Sequence, residues 1–246
     1  MPEPIVRVFD DEHDLAVGTA GALLFAAMEA VARRGHFHWA LAGGSTPRAT
    51  YRVLAAPPFA DDFPWDRHDA WLGDERCVPA DHPASNARMI REHLFRPAGA
   101  EETALRAFDT ETDPDAAARA YAEQLAAAVP KNDGGVPVLD VVLLGLGADA
   151  HTASWFPGSS FPEDRWVAAS AGQHGGQRRL TLTPTIVNAA RRVVFLVAGE
   201  TKTDALRRVL QGPHDPVRVP AQRVAPEHGK VTWMLDAAAA GQFFAG

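Results

Sequence analysis

The chain has 246 residues, 46% of them hydrophobic, a net charge of −7 and a single cysteine, Cys77. That apolar content excludes disorder and supplies a core for one large domain or two small ones, while the lone cysteine excludes a disulfide framework and argues against cysteine-ligated zinc. Net acidity without a basic block argues against nucleic acid as a partner, because phosphate-backbone binding needs a concentrated positive face.

The start, MPEPIVRVFDDEHD, is acidic and lacks the features of a secretory signal. No apolar run approaches membrane-spanning length, and the cytoplasm is the expected location. Ile5 to Phe9 alternates as a first strand. From Asp14 to about Arg33, Leu15, Leu23, Leu24, Ala27, Met28 and Val31 recur near helical spacing, with Gly35 as the stop. Phe37 to Ala42 reads as a second strand running into Gly43-Gly44-Ser45-Thr46-Pro47, then a helical stretch to Leu54. Segment 55–68, rich in Pro, Phe and Asp, reads as a surface loop. Asp69 to Leu72 is a short strand followed by Gly73-Asp74-Glu75-Arg76, and the polar loop VPADHPASN leads into a helix from about Ala87 to Phe95. Leu105 to Phe108 reads as a short strand; Asp113 to Val129, alanine-rich with an acidic start, reads as a helix.

The stretch from Leu139 to Gly158, LDVVLLGLGADAHTASWFPG, organises the rest. An apolar strand, Val141 to Leu144, ends in Gly145 and Gly147, and Asp149 and His151 follow. Ala150 stands where a dinucleotide fingerprint needs its third glycine, so a nicotinamide site is not expected. Beyond it, Val167 to Ser170 and Arg179 to Leu182 look extended, and Thr183-Pro184 opens a helix, with Thr as cap, that ends near Ala190. Val193 to Ala198 is a strand followed by Gly199-Glu200-Thr201-Lys202 and a helix to Leu210. Segment 211–229 is rich in Pro and His; Val231 to Leu235 is the last strand and Asp236 to Phe244 the last helix.

Strands alternating with helices predict an α/β fold with a mostly parallel sheet and helices on both faces. Four polar, glycine-bearing loops each follow an apolar strand: 43–47, 73–76, 145–151 and 199–202. A parallel sheet gathers such loops at the carboxyl ends of its strands, where ligands bind.

Each loop has a functional and an ordinary reading. Gly43, Gly44, Ser45 and Thr46 before a helix suit a phosphate at its N-terminus, or an ordinary capped turn. Arg76 suits an anion, and Asp74 suits a substrate hydroxyl or a base; the pair also suits a solvated salt-bridge cluster. Lys202 near a helix start opposes the helix dipole, which suggests an anionic ligand, and Arg179 is a second candidate cation; either also fits the surface. His36 and His38 have alternate spacing but no third ligand nearby in sequence, so they read as strand-edge residues and no metal site is expected. Motifs of serine esterases, zinc hydrolases and Walker phosphate loops are absent.

Taken together, LAGGSTP (41–47), GDER with VPADHPASN (73–86), LGLGADAHTASWFPG (144–158), RLTLT (179–183) and GETK (199–202) resemble the 6-phosphogluconolactonases, in that family's order and over nearly the full length. The resemblance implies a Rossmann-like fold shared with glucosamine-6-phosphate deaminase, one domain over 1–246, and no metal or organic cofactor. It implies hydrolysis of 6-phospho-D-glucono-1,5-lactone to 6-phosphogluconate in the oxidative pentose phosphate pathway, by a monomer or small homo-oligomer. His151 is then the acid–base residue, with Asp149 orienting the ring or merely shaping the turn. Ser45, Thr46, Arg76, Arg179 and Lys202 serve the phosphate and sugar, and Gly43, Gly44, Asp74 and Gly147 complete the substrate site. Two positions depart from the family: Ala150 replaces a usual glycine, and Trp155 replaces a smaller aliphatic residue and is expected to reshape the pocket wall. A deaminase or isomerase reading is disfavoured, since by resemblance it uses an acid a few residues past the histidine and 152–160 contain no carboxylate. A non-catalytic sugar-phosphate sensor would not need Asp149 and His151.

Overall fold

A computed structural model of the chain describes residues 4–241. In chain order the elements are β1 (Ile5–Phe9), α1 (Glu12–Arg34), β2 (Phe37–Leu41), α2 (Ser45–Leu54), α3 (Phe59–Asp62), β3 (His68–Leu72) and β4 (Asp74–Arg76). Then come α4 (Asn86–Ile90), α5 (Arg96–Ala98), β5 (Leu105–Arg106), α6 (Pro114–Ala128), β6 (Val141–Gly145) and β7 (Val167–Ala169). The chain continues through β8 (Arg179–Leu182), α7 (Pro184–Ala189), β9 (Arg192–Val197), α8 (Thr203–Leu210), β10 (Lys230–Asp236) and α9 (Ala237–Ala240).

Seven strands form one sheet in the order β1-β10-β9-β6-β2-β3-β5, every pair parallel. All five residues of β2 are buried, so both faces of the sheet are covered there, which is why the central strands read as unbroken apolar runs. The α/β expectation holds, with one addition. β4, β8 and β7 leave the main sheet and form a small antiparallel one. The switch occurs at Gly73, whose N–H donates to Leu41 O and whose carbonyl accepts from Leu182 N, both at 2.8 Å. The segment 73–76 is therefore a strand of a second sheet and not only a loop.

Tertiary packing overrode several local readings. Segment 55–68 is no plain surface loop: Phe63 and His68 are buried, and Phe63, Trp65 and His68 pack with Phe37, Trp39 and Phe95 as an aromatic cluster. Residues 86–98 are helical throughout, with a π turn over Arg91–Phe95 between α4 and α5. Thr183 stands at the helix start, but its hydroxyl donates to Arg165 O and caps nothing. Met28, placed on the core face of α1 by spacing, is exposed. Contrary to the sequence expectation, α1 has the length and apolarity to cross a membrane. In the fold, its Leu15, Leu23, Ala27 and Ala30 enter the core, and it is capped by Asp11 and closed by Gly35 at φ +80. The last helix spans Ala237–Ala240; residues 242–244, also expected to be helical, lie outside the described residues.

Candidate active site

The carboxyl ends of β2, β6 and β9, with β4 alongside, surround a pocket of about 220 Å³. It is lined by Gly43, Gly44, Ser45, Thr46, Asp74, Arg76, Gly147, His151 and Lys202, nine of the eleven residues expected from sequence. Residues more than 150 positions apart thus meet because parallel strands end on one edge.

His151 sits on the turn after β6. Gly147 N donates to His151 O at 2.8 Å, closing the turn. A Cβ on Gly147 would lie 2.0 Å from His151 Nδ1, so only glycine lets the ring take this place. Asp149 Oδ1 lies 2.5 Å from His151 Nδ1 and accepts from the His151 backbone N–H at 3.1 Å. The two readings left open for Asp149, ring partner and turn residue, are both realised by one oxygen atom. Burial alone would raise the Asp149 carboxyl; the hydrogen bonds from His151 outweigh it and hold the pKa below the usual value. With Nδ1 occupied, Nε2 is the ring nitrogen left for a ligand. Phe156 packs against the imidazole, ring centroids 4.8 Å apart, and His174 stacks on Phe156 at 3.7 Å. Two left-handed non-glycine residues, Ala150 at φ +70 and Ala153 at φ +46, flank His151, which concentrates backbone strain at this turn.

Opposite, α2 begins at Ser45 with Gly44 as its N-cap, at φ +108 and without a side-chain cap. The ordinary capped-turn reading therefore fails. The first N–H groups of α2 have no intrahelical partner and open toward the pocket with the positive end of the helix dipole. Gly43 is required by close approach: a Cβ there would lie 2.0 Å from Asn86 Oδ1.

Asn86 was missed by sequence reasoning. Its Oδ1 accepts from Arg76 Nη1 at 2.8 Å, and its Nδ2 donates to Asp74 O at 2.9 Å. It packs against Gly43 of the glycine loop and bonds to Asp74 and Arg76 of β4. Glu75 holds it there: its carboxylate accepts from the N–H groups of Asn86 and Ala87 and from Ser85 Oγ. Burial raises the Glu75 pKa, against these hydrogen bonds. Ser154 Oγ donates to Asp74 Oδ2 at 2.8 Å, fixing Asp74 from the histidine side. The available signal was Asn86 at the mouth of a helix, inside the VPADHPASN motif.

Lys202 reaches the pocket from a 3-10 turn after Gly199, whose N–H donates to both Asp236 carboxylate oxygens at 3.0 Å. Arg179 does not line the pocket. It lies beside Arg76 in the β4–β8 ladder, donates from Nη2 to His174 O, and has buried Nε and Nη1 groups without partners among the described residues. Burial, then Arg76, lowers its pKa from the usual guanidinium value. Trp155 does not reshape the wall: it is fully buried and donates from Nε1 to Leu182 O. His36 and His38, set aside for lack of a third ligand, do have a carboxylate beside them, Asp69 of the neighbouring strand.

The profile of a family described as glucosamine-6-phosphate isomerases/6-phosphogluconolactonase matches residues 10–233. The chain belongs to this family. A 6-phosphogluconolactonase of Nostoc sp. is 36% identical over 238 residues, covering 96% of this chain and 97% of the relative. The solved structure of 6-phosphogluconolactonase from Trypanosoma brucei superposes with a TM-score of 0.83 at 31% identity, over 97% and 98% of the two chains. A monomeric glucosamine-6-phosphate deaminase shares the fold, with a TM-score of 0.80, 20% identity and 96% and 98% coverage. In this family member the motif resemblance and the pocket agree: each shared motif except RLTLT contributes a lining residue.

Proposed function

We infer that this chain hydrolyses 6-phospho-D-glucono-1,5-lactone to 6-phospho-D-gluconate in the oxidative pentose phosphate pathway, acting as one cytoplasmic domain over 1–246. The observation that carries the reading is the meeting of the His151–Asp149 pair with an uncapped helix N-terminus and two cations, Arg76 and Lys202, in one pocket. A single contiguous hydrophobic cluster supports the one-domain reading.

The substrate's phosphate lies against the N-terminus of α2, its charge met by Ser45, Thr46, Arg76 and Lys202. This fixes the lactone carbonyl near His151. Nε2 takes a proton from water as the water oxygen bonds to the carbonyl carbon. The tetrahedral intermediate collapses, the bond from carbon to ring oxygen breaks, and the imidazolium returns the proton to that oxygen. The carboxylic acid formed then ionises. Asp149 holds Nδ1–H, so that Nε2 carries the lone pair, and its charge stabilises the imidazolium. The N–H groups of Gly43 and Gly44, which precede α2 and line the pocket, stabilise the oxyanion; those at the start of α2 hold the phosphate, and Gly147 N–H is already used within the turn. Arg179 supports the cationic wall behind Arg76.

A deaminase moves a proton between carbons, and by resemblance needs a carboxylate just past the histidine; residues 152–160 offer none. Parallel assays test the choice. Accelerated loss of the lactone over its spontaneous hydrolysis, with no ammonia released from glucosamine 6-phosphate, is expected. Ammonia release without lactone hydrolysis would reverse the assignment, and binding of 6-phosphogluconate without turnover would make the protein a sensor.

A further inference from the structure

The opposite edge of the main sheet carries a second cluster of metal-ligating side chains. His36 and His38 lie two residues apart at the entrance to β2, so both rings project from one face. Asp69 is the ladder partner of His38 on β3. Its Oδ2 is 3.1 Å from His36 Nε2 and 3.7 Å from His38 Nδ1, and all three donor atoms lie within 4.8 Å of one another. His38 is only 7% exposed, and its Nδ1 is buried with no hydrogen-bond partner among the described residues. A buried, unpartnered ring nitrogen aimed at a carboxylate and a second imidazole is a group in want of a ligand.

We propose that His36 Nε2, His38 Nδ1 and Asp69 Oδ2 form a binding site for a zinc-class divalent cation, separate from the catalytic pocket. Two imidazoles and one carboxylate, with water in the fourth position, are a donor set that tetrahedral zinc accepts. In such a shell, with metal–ligand bonds of roughly 2.0–2.1 Å, donors stand roughly 3.3 Å apart. The two distances to Asp69 are already close to this, and rotation of the part-exposed His36 closes the remaining pair.

The surroundings supply the outer shell. Arg106 Nε and Nη2 donate to Asp69 Oδ1 at 3.0 and 2.9 Å, orienting the carboxylate and leaving Oδ2 for the metal. Asp140 Oδ2 accepts from the His38 backbone N–H at 2.9 Å, which fixes the strand carrying the ligand. Arg34 and Arg191 pair with Asp140, as Arg106 does with Asp69, so no net negative field gathers cations. The site is therefore a modest, exchangeable one. Bound metal clamps β2 to β3 at their amino ends, a strand length of about 16 Å from the pocket.

Chelator-stripped protein titrated with zinc or cobalt(II) tests the proposal. Wild type is expected to bind one equivalent, with the visible bands of tetrahedral cobalt and a raised unfolding temperature. His36→Ala and Asp69→Asn should each weaken binding about 100-fold while lactone hydrolysis stays within about twofold. His151→Ala should bind zinc as wild type does. Absence of binding by wild type, or undiminished binding in His36→Ala, would overturn the proposal; His36 is part-exposed, so that variant keeps its fold. Binding lost only in His151→Ala would place the metal in the catalytic pocket and also overturn it.

Discussion

His68 and His151 lie at opposite edges of the same sheet and show what separates a structural imidazole from a chemical one. His68 opens β3, is 4% exposed, and is enclosed by Trp39, Phe63, Trp65 and Phe95. Its Nδ1 accepts from Trp39 Nε1 at 3.1 Å, and burial pushes its pKa down to about 4. The ring is held neutral and away from water. His151 follows β6, its side chain is 34% exposed, and its Nδ1 is taken by a carboxylate. A glycine lets it stand against bare backbone, where any other residue would displace it. Residue type is the same; access to solvent and the identity of the Nδ1 partner differ. Proton transfer needs a ring nitrogen open to water and substrate, and of the two only the strand-end glycine turn supplies one.

Substitutions at the two histidines break this contrast most strongly. His151→Ala should lower kcat by roughly 100- to 10,000-fold, the usual worth of a positioned acid–base group, with the fold retained by circular dichroism. An unchanged kcat would remove His151 from the mechanism. For His68 the effect is on stability. Its folded pKa is depressed from 6.5 to about 4, so the unfolded chain binds the extra proton between these values. Its contribution is complete above pH 6.5 and is lost as pH falls toward 4, up to about 3.5 kcal/mol at about 1.4 kcal/mol per pH unit. Denaturant titrations across that window should show the loss in wild type and a flatter profile in His68→Gln, with hydrolysis at pH 7 unaffected.

The environment of His151 can be altered without touching the ring. Gly147→Ala places a methyl where the ring stands, and kcat should fall roughly 10-fold or more from misplacement alone. A normal kcat would show that the ring has another productive position. The smallest effect is expected at Ala150. At φ +70 the methyl is strained, so Ala150→Gly should stabilise the protein by about 1 kcal/mol or less in denaturant melts, with kcat within about twofold.

The same contrast explains what the sequence disclosed. Glycine punctuation after apolar strands is a local signal, and it located His151, Asp149, Ser45, Thr46, Arg76 and Lys202 because strand ends in a parallel sheet share an edge. Roles that depend on cross-chain partners had no local signal. Asn86 matters through Gly43, Arg76 and Asp74; Asp69 approaches His38 only through the β2–β3 ladder; Trp155 turns inward because Leu182 offers a buried acceptor. The Phe and Trp residues of 55–68 looked like loop residues until the cage around His68 gave them partners.

The central claim is that a phosphate cradle and an imidazole converge on one lactone, and substrate comparison tests it most directly. The measurement is kcat/KM for 6-phospho-D-glucono-1,5-lactone against D-glucono-1,5-lactone, each corrected for spontaneous hydrolysis. Two charge-assisted contacts to the phosphate, at about 1.5–3 kcal/mol each, predict a preference of at least roughly 100-fold for the phosphorylated lactone. Equal values for the two lactones would contradict the account.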